Sequence, residues 1–215
     1  MTCSATNGAG LSSSVPLTIK IDQTPAVITP TVTGQLGSNG WYTGPVTVSW
    51  SVTDPQSGIT SSSGCAQTTL TADTPGTTLT CSAINGAGLS SSVPLTIKID
   101  QSRPVISGMP GAGCSLWPPN HKMVQVATVT ASDVMSGLAA GSFSITGTSN
   151  EPSSPNEVDI VISPNGSGGF TVQLRAERLG TGTGRVYTLT AKATDTSGNV
   201  TVATSTCTVP HDQGK

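Results

Sequence analysis

The chain has 215 residues, of which only 9% are charged, and it carries 9 Lys plus Arg against 11 Asp plus Glu for a net charge of −2. With no basic stripe it lacks the footprint that supplies most affinity for nucleic acid, and no apolar run approaches the ~20 residues needed to cross a bilayer. Helix formers are scarce, while Val, Ile and Thr, which favour pleated, half-buried strands, are common; the expected class is all-β.

In chain order, residues 2–28 read TCSATNGAGLSSSVPLTIKIDQTPAVI, and residues 80–106 repeat the block with four changes: Thr6/Ile84, Thr24/Ser102, Pro25/Arg103 and Ala26/Pro104. Self-similarity at a fixed period signals a repeat array. Residues 1–24 read as the closing hairpin of an incomplete module, with a turn at Asn7-Gly8-Ala9-Gly10 and a strand from Val15 to Ile21 that places Leu17, Ile19 and Ile21 on one face. The N-terminus shows no charged region followed by an apolar one, so no signal peptide is expected.

Residues 25–102 read as one complete module with strands at 26–32, 46–53, 59–65, 67–72, 77–83 and 93–99. Turns are expected at Ser38-Asn39-Gly40, Asp54 to Gly58, Asp73 to Gly76 and Asn85 to Gly88, because Pro presets φ and Asp or Asn bonds its own backbone. Trp50 is in phase with Val46, Val48 and Val52 and reads as core. Residues 103–215 form a longer, divergent module with a short tail and strands at 123–132, 142–147, 157–162, 170–177, 185–194 and 200–209. Short strands with turn signals every 8–12 residues indicate β-sandwiches.

The repeat assigns the five cysteines. Cys81 has Cys65 sixteen residues before it, Cys3 is the counterpart of Cys81 without a partner, and Cys114 and Cys207 open and close the last segment. The expected bridges are Cys65–Cys81 and Cys114–Cys207, with Cys3 a free thiol; five buried thiols are the alternative. Bridges imply an oxidising, extracellular or cell-surface setting.

The segments Trp41-Tyr42-Thr43-Gly44-Pro45-Val46-Thr47-Val48, Val52-Thr53-Asp54-Pro55-Gln56-Ser57-Gly58 and Ala193-Thr194-Asp195-Thr196-Ser197-Gly198-Asn199 resemble bacterial extracellular immunoglobulin-like repeats, the hyalin-repeat-like ones among them. The last module resembles the same group through Cys114-Ser115-Leu116-Trp117-Pro118-Pro119-Asn120-His121-Lys122 and Val209-Pro210-His211-Asp212. The resemblance implies tandem immunoglobulin-like sandwiches acting as spacer, stalk or adhesive modules, with neighbouring modules or identical subunits as partners and no catalytic residue.

Several residues carry candidate chemistry. If the Cys114–Cys207 segments run parallel, His121 and His211 travel to one end beside Asp212, a weak metal set, since zinc wants three or four such ligands. Asp22, Asp54, Asp100, Asp133 and Asp195 offer oxygen for calcium, although single carboxylates in turns are explained by Asx turns; no cofactor is otherwise expected. Trp41, Tyr42 and Trp117 are the candidates for stacking against cell-surface glycans, with plugging of sandwich ends as the competing role. Tyr187, at a strand start, reads as a structural tyrosine corner. No G-x-S-x-G elbow occurs, and Glu151, Glu157 and Glu177 fall on separate strands or loops, so no enzyme is expected. The leading function is a structural repeat segment that could add its opening hairpin to another chain; the alternative is a carbohydrate- or surface-binding accessory module.

Overall fold

The alternation in Val46-Thr47-Val48-Ser49 resolves into a long strand whose two valines are fully buried, and the same period-two logic repeats along the chain. The computed structural model describes residues 1–212, and among these every regular element is a strand; the last three residues of the expected tail lie outside them. The first eight strands are β1 (Thr2–Thr6), β2 (Ser12–Pro16), β3 (Val27–Leu36), β4 (Trp41–Thr53), β5 (Ile59–Ser63), β6 (Thr68–Leu70), β7 (Thr74–Asn85) and β8 (Ser90–Ile99). The remaining seven are β9 (Val105–Ser107), β10 (Met123–Ser132), β11 (Ser144–Ser149), β12 (Ile160–Pro164), β13 (Phe170–Arg175), β14 (Gly184–Thr194) and β15 (Val200–Pro210).

Contacts divide the chain into two compact units. The first comprises Met1–Thr33, Thr47–Thr69 and Thr78–Thr96, and the second Gly34–Val46, Leu70–Thr77 and the chain from Ile97 onward.

β9 to β15 make a four-stranded sheet, β12-β13-β10-β9, and a three-stranded sheet, β11-β14-β15. With strands lettered in chain order these are the ABED and CFG sheets of a constant-type immunoglobulin sandwich. Val129, Val172, Leu174, Tyr187, Leu189, Ala191 and Val209 fill its core, and Phe143 meets Phe170 edge-on at 5.2 Å. Cys114 and Cys207 are bonded, and their segments run parallel: Leu116 N donates to Thr208 O at 2.8 Å and Thr208 N to Cys114 O at 3.0 Å. β9 escapes sequence reading because three residues are too few to display an alternation.

In the β3–β8 region, β5-β7-β8 follows the pattern of β11-β14-β15, and β6 pairs with β4 as β13 pairs with β10. Ala26, Ile28, Cys81 and Ala83 form a small core with Trp50, Val52, Cys65 and Val93 packed against it, and Cys65 is bonded to Cys81. Cys3 is unbonded and exposed.

The opening hairpin departs from the expected strand at 15–21. The decapeptide SSSVPLTIKI occurs at 12–21 and again at 90–99. The second copy is β8 along its whole length, whereas in the first copy the strand stops at Pro16. Ile97 and Ile99 are 2% and 0% exposed; Ile19 and Ile21, with identical neighbours, are 59% and 74% exposed. The physical reason is pairing. β8 lies between β4 and β7, while β2 has β1 alone, which runs out at Thr2 opposite Pro16. Leu17 N still donates to Met1 O at 2.7 Å, and among the described residues no backbone partner holds residues 18–21 beyond it.

The turn before it forms in both copies. Gly10 N donates to Asn7 O and Gly88 N to Asn85 O, each at 3.0 Å, and both asparagine side chains accept from the amides two and four residues on. Turn geometry is therefore local and strand length is tertiary. We predict that Ile97→Ala lowers stability by about 2–5 kcal/mol in urea denaturation, whereas Ile19→Ala costs less than about 0.5 kcal/mol.

Candidate functional site: aspartate clusters and a buried arginine

Asp and Asn in turns accept backbone N–H bonds from the next residues, which leaves the second polar atom of the side chain to reach across space. In the first unit Asp54 Oδ1 accepts from Gln56 N (3.0 Å) and Ser57 N (2.9 Å). Asp22 Oδ1 accepts from the Thr24 amide and hydroxyl, and its Oδ2 from the Ser57 hydroxyl. Asn85, almost wholly buried at the end of β7, closes the cluster. Its Nδ2 donates to Asp22 Oδ2 (3.0 Å), Asp54 Oδ2 (2.9 Å) and Thr24 O (2.8 Å). Gly86 is required beside it, since a Cβ there would lie 2.3 Å from Ser57 O. The Ser57 hydroxyl and Thr24 amide draw the Asp22 carboxyl below its ordinary range, and the Ser57 amide with Asn85 does the same for Asp54. Both are stabilised as anions by these hydrogen bonds, the Asn85 amide serving the two at once.

The second unit holds Asp73, just ahead of β7, and three aspartates that follow β8. Asp73 is pushed up by partial burial, but bonds from Gln101 N (2.9 Å), Gln101 Nε2 (3.0 Å) and the Ser102 hydroxyl (2.8 Å) outweigh this and hold it low. Asp100 is fully buried, its Oδ1 accepting from Ser102 N at 3.0 Å. Asp133 Oδ1 accepts from the amides of Met135, Ser136 and Gly137. Asp195 Oδ1 accepts from Gly198 N (2.7 Å) and Asn199 N (2.8 Å). Carboxylate oxygens of Asp100, Asp133 and Asp195 lie within 4.8 Å of one another.

A second polar cluster in this unit is built on a cation. Arg185 at the start of β14 is fully buried and meets Asp159, Glu151 Oε2 (3.3 Å), Pro152 O (3.0 Å) and the Tyr187 hydroxyl (3.3 Å). Glu151 also accepts from Leu179 N at 2.8 Å. Burial works against the charged guanidinium, yet the Tyr187 and Asp159 partners raise its pKa, so it stays protonated. Tyr187 is pushed up by burial and remains a phenol that donates to Arg175 O at 2.8 Å. This is the tyrosine-corner geometry, tying β14 to the end of β13.

The other sequence candidates scatter. Trp41 is buried with Lys98 Nζ over its ring at 5.4 Å, Tyr42 is partly buried with its carbonyl receiving Asp100 N (2.9 Å), and Trp117 is 44% exposed. His121 Nδ1 lies 3.7 Å from Glu177 Oε2, and His211 contacts Asp212 (3.6 Å) and Gly180 O (3.2 Å). Among the described residues, His121 groups with Glu157 and Glu177 as potential ligands rather than with His211 and Asp212. Arg175 already stands in that group, 3.8 Å from Glu157 and 3.9 Å from Glu177. Sequence reading missed Arg185, Glu151, Asp159 and the side-chain role of Asn85.

No family model matches the chain, and no curated protein matches it. Solved structures are similar at low identity. The protocadherin gammaB7 EC3-6 cis-dimer structure has 19% identity over 97% of this chain and 56% of that one, with a TM-score of 0.41. The protocadherin GammaB4 extracellular domain has 14% identity over 96% of this chain and 35% of that one, at 0.46. A chimeric titin Z1Z2 has 16% identity over 91% of this chain and 100% of that one, at 0.30. The chain thus spans 56% and 35% of the length of those two protocadherin chains.

A carboxylate whose folded pKa is depressed contributes stability that is present above its unfolded value, near 3.8 for Asp, and lost as the pH falls through the folded value. Urea melts from pH 5 down to pH 2 are therefore expected to show falling stability below about pH 4. The double variant Asp22→Asn/Asp54→Asn is expected to fall less steeply; an unchanged slope would exclude the two carboxylates as its source.

Proposed function

We propose that the chain is a structural segment of an extracellular array of immunoglobulin-like modules, serving as spacer, stalk or adhesin shaft of a bacterial secreted or surface protein. In this reading 25–102 and 103–215 are modules, and 1–24 corresponds to the closing hairpin of another. The observation that carries it is a connector used twice. Each copy of the repeated block runs through Ile-Asp-Gln to a Thr or Ser, and each time a buried or partly buried asparagine amide grips the carbonyl of that hydroxyl residue. Asn85 Nδ2 bonds Thr24 O at 2.8 Å, and Asn199 Nδ2 bonds Ser102 O at 2.6 Å, residue 102 being the counterpart of residue 24. The carbonyl side of the link is copied with the repeated block, while the asparagine comes from the first turn position in one copy (Asn85) and the last in the other (Asn199), which suits an array of related modules. The two disulfides suit an oxidising compartment, and among the described residues no helix is long and apolar enough to cross a membrane.

Assembly into a fibre follows from the same hairpin. Among the described residues β1 and β2 pair only with each other, and Val15, Leu17, Ile19 and Ile21 present apolar side chains to solvent. Open edges of this kind accept or donate strands between identical chains. Sedimentation should show concentration-dependent association for the intact chain and a monomer for a chain starting at Gln23; equal, monomeric behaviour excludes strand exchange and leaves the spacer role. A glycan array should return no ligand. Binding that disappears in Trp117→Ala would instead establish an accessory binding module.

A further inference from the structure

We propose that Asp100, Asp133 and Asp195 form a binding site for a hard divalent cation of the calcium class. Their carboxylate oxygens converge within 4.8 Å, with Asp100 and Asp195 buried and Asp133 partly open as the route in from solvent. Proximity of acids alone would mean little. The second observation is Asp100 Oδ2, an oxygen sealed from water on a wholly buried side chain with no hydrogen-bond partner. An unpartnered buried carboxylate oxygen is costly to maintain, and a coordinated cation removes that cost. Among the described residues no Lys, Arg or His forms an ion pair with any of the three, in contrast to the His121–Glu157–Glu177 group, where Arg175 supplies the positive charge.

Donors nearby are also too few. Asn199 Nδ2 has two hydrogens but faces four oxygens: Asp100 O (3.0 Å), Ser102 O (2.6 Å), Asp195 Oδ2 (2.9 Å) and Ser197 Oγ (2.8 Å). A surplus of oxygen ligands, carboxylate and carbonyl, matches what calcium takes, six to eight oxygens in flexible geometry.

The first unit provides an internal control. Asp22 is the counterpart of Asp100, and Asp54, four residues before Gly58, is the counterpart of Asp133, four before Gly137. The third position differs. Asn85 and Asp195 open equivalent turns, each donating its N–H to the carbonyl four residues on at 3.0 Å. Where Asn85 places an NH₂ between the carboxylates of Asp22 and Asp54, Asp195 contributes a third carboxylate. The amide within reach of the second cluster, Asn199 Nδ2, bonds Asp195 Oδ2 and leaves Asp100 Oδ2 without a donor, which is where the two clusters part.

The test is isothermal titration of the chelator-treated full chain with calcium and, separately, magnesium, together with thermal melts. We expect one saturable calcium site, weaker magnesium binding, and a Tm raised by roughly 10 °C at calcium about a hundredfold above its dissociation constant. Asp195→Asn should melt cooperatively without any calcium response, and Asn85→Asp should raise the stoichiometry from one ion to two. No binding heat with an identical Tm in calcium and chelator overturns the proposal. So does an Asp195→Asn variant that keeps the full response, and a site filled by magnesium alone overturns the calcium-class assignment.

Discussion

A β-strand lasts only as long as something receives its backbone amides and carbonyls, and this chain displays that constraint on one decapeptide placed in two settings. Between β4 and β7, SSSVPLTIKI is a ten-residue strand with two fully inward isoleucines; beside β1 alone it is five residues long and exposed. Propensity, pattern and neighbours along the chain are held constant, so pairing alone accounts for the difference. The sandwich cores depend on the same condition. Small, β-branched side chains become a core only once ladders hold their faces together.

Because those cores are poor in aromatics, much of the specificity passes to polar clusters. Asn85 with two aspartates, and Arg185 with Asp159, Glu151 and Tyr187, fix where loops meet strands. In both, each partner limits the cost of burying the other, with Asp159 Oδ1 left to an ion pair with Arg175 Nε at 3.4 Å. The Cys114–Cys207 bridge adds a covalent tie across a separation of 93 residues, worth about 4–5 kcal/mol in the chain-entropy treatment. In both copies of the repeated block an asparagine amide holds the equivalent carbonyl, Thr24 O and Ser102 O.

The sequence made the strands legible wherever the period-two alternation was long. The strand at 123–132 is β10 residue for residue, and those at 185–194 and 200–209 each match β14 and β15 to within one position. It failed at 17–21, where alternation was present but no partner existed, and at β9, where the partner existed but the pattern was too short. The polar clusters were half legible. Asx turns at Asp54, Asp133 and Asp195 follow from local chemistry. That Asp100 would meet Asp133 and Asp195 depends on how distant turns are brought together, which no local pattern encodes. Arg185 was invisible for the same reason, as a lone cation in a strand start reads as solvated.

Whether pairing, rather than local sequence, sets strand length is tested most directly by amide hydrogen exchange followed residue by residue with NMR in one sample. Strong protection is expected at Thr96, Ile97, Lys98 and Ile99, and exchange near the rate of an unstructured chain at Thr18, Ile19, Lys20 and Ile21. Equal protection in the two copies would contradict pairing as the cause.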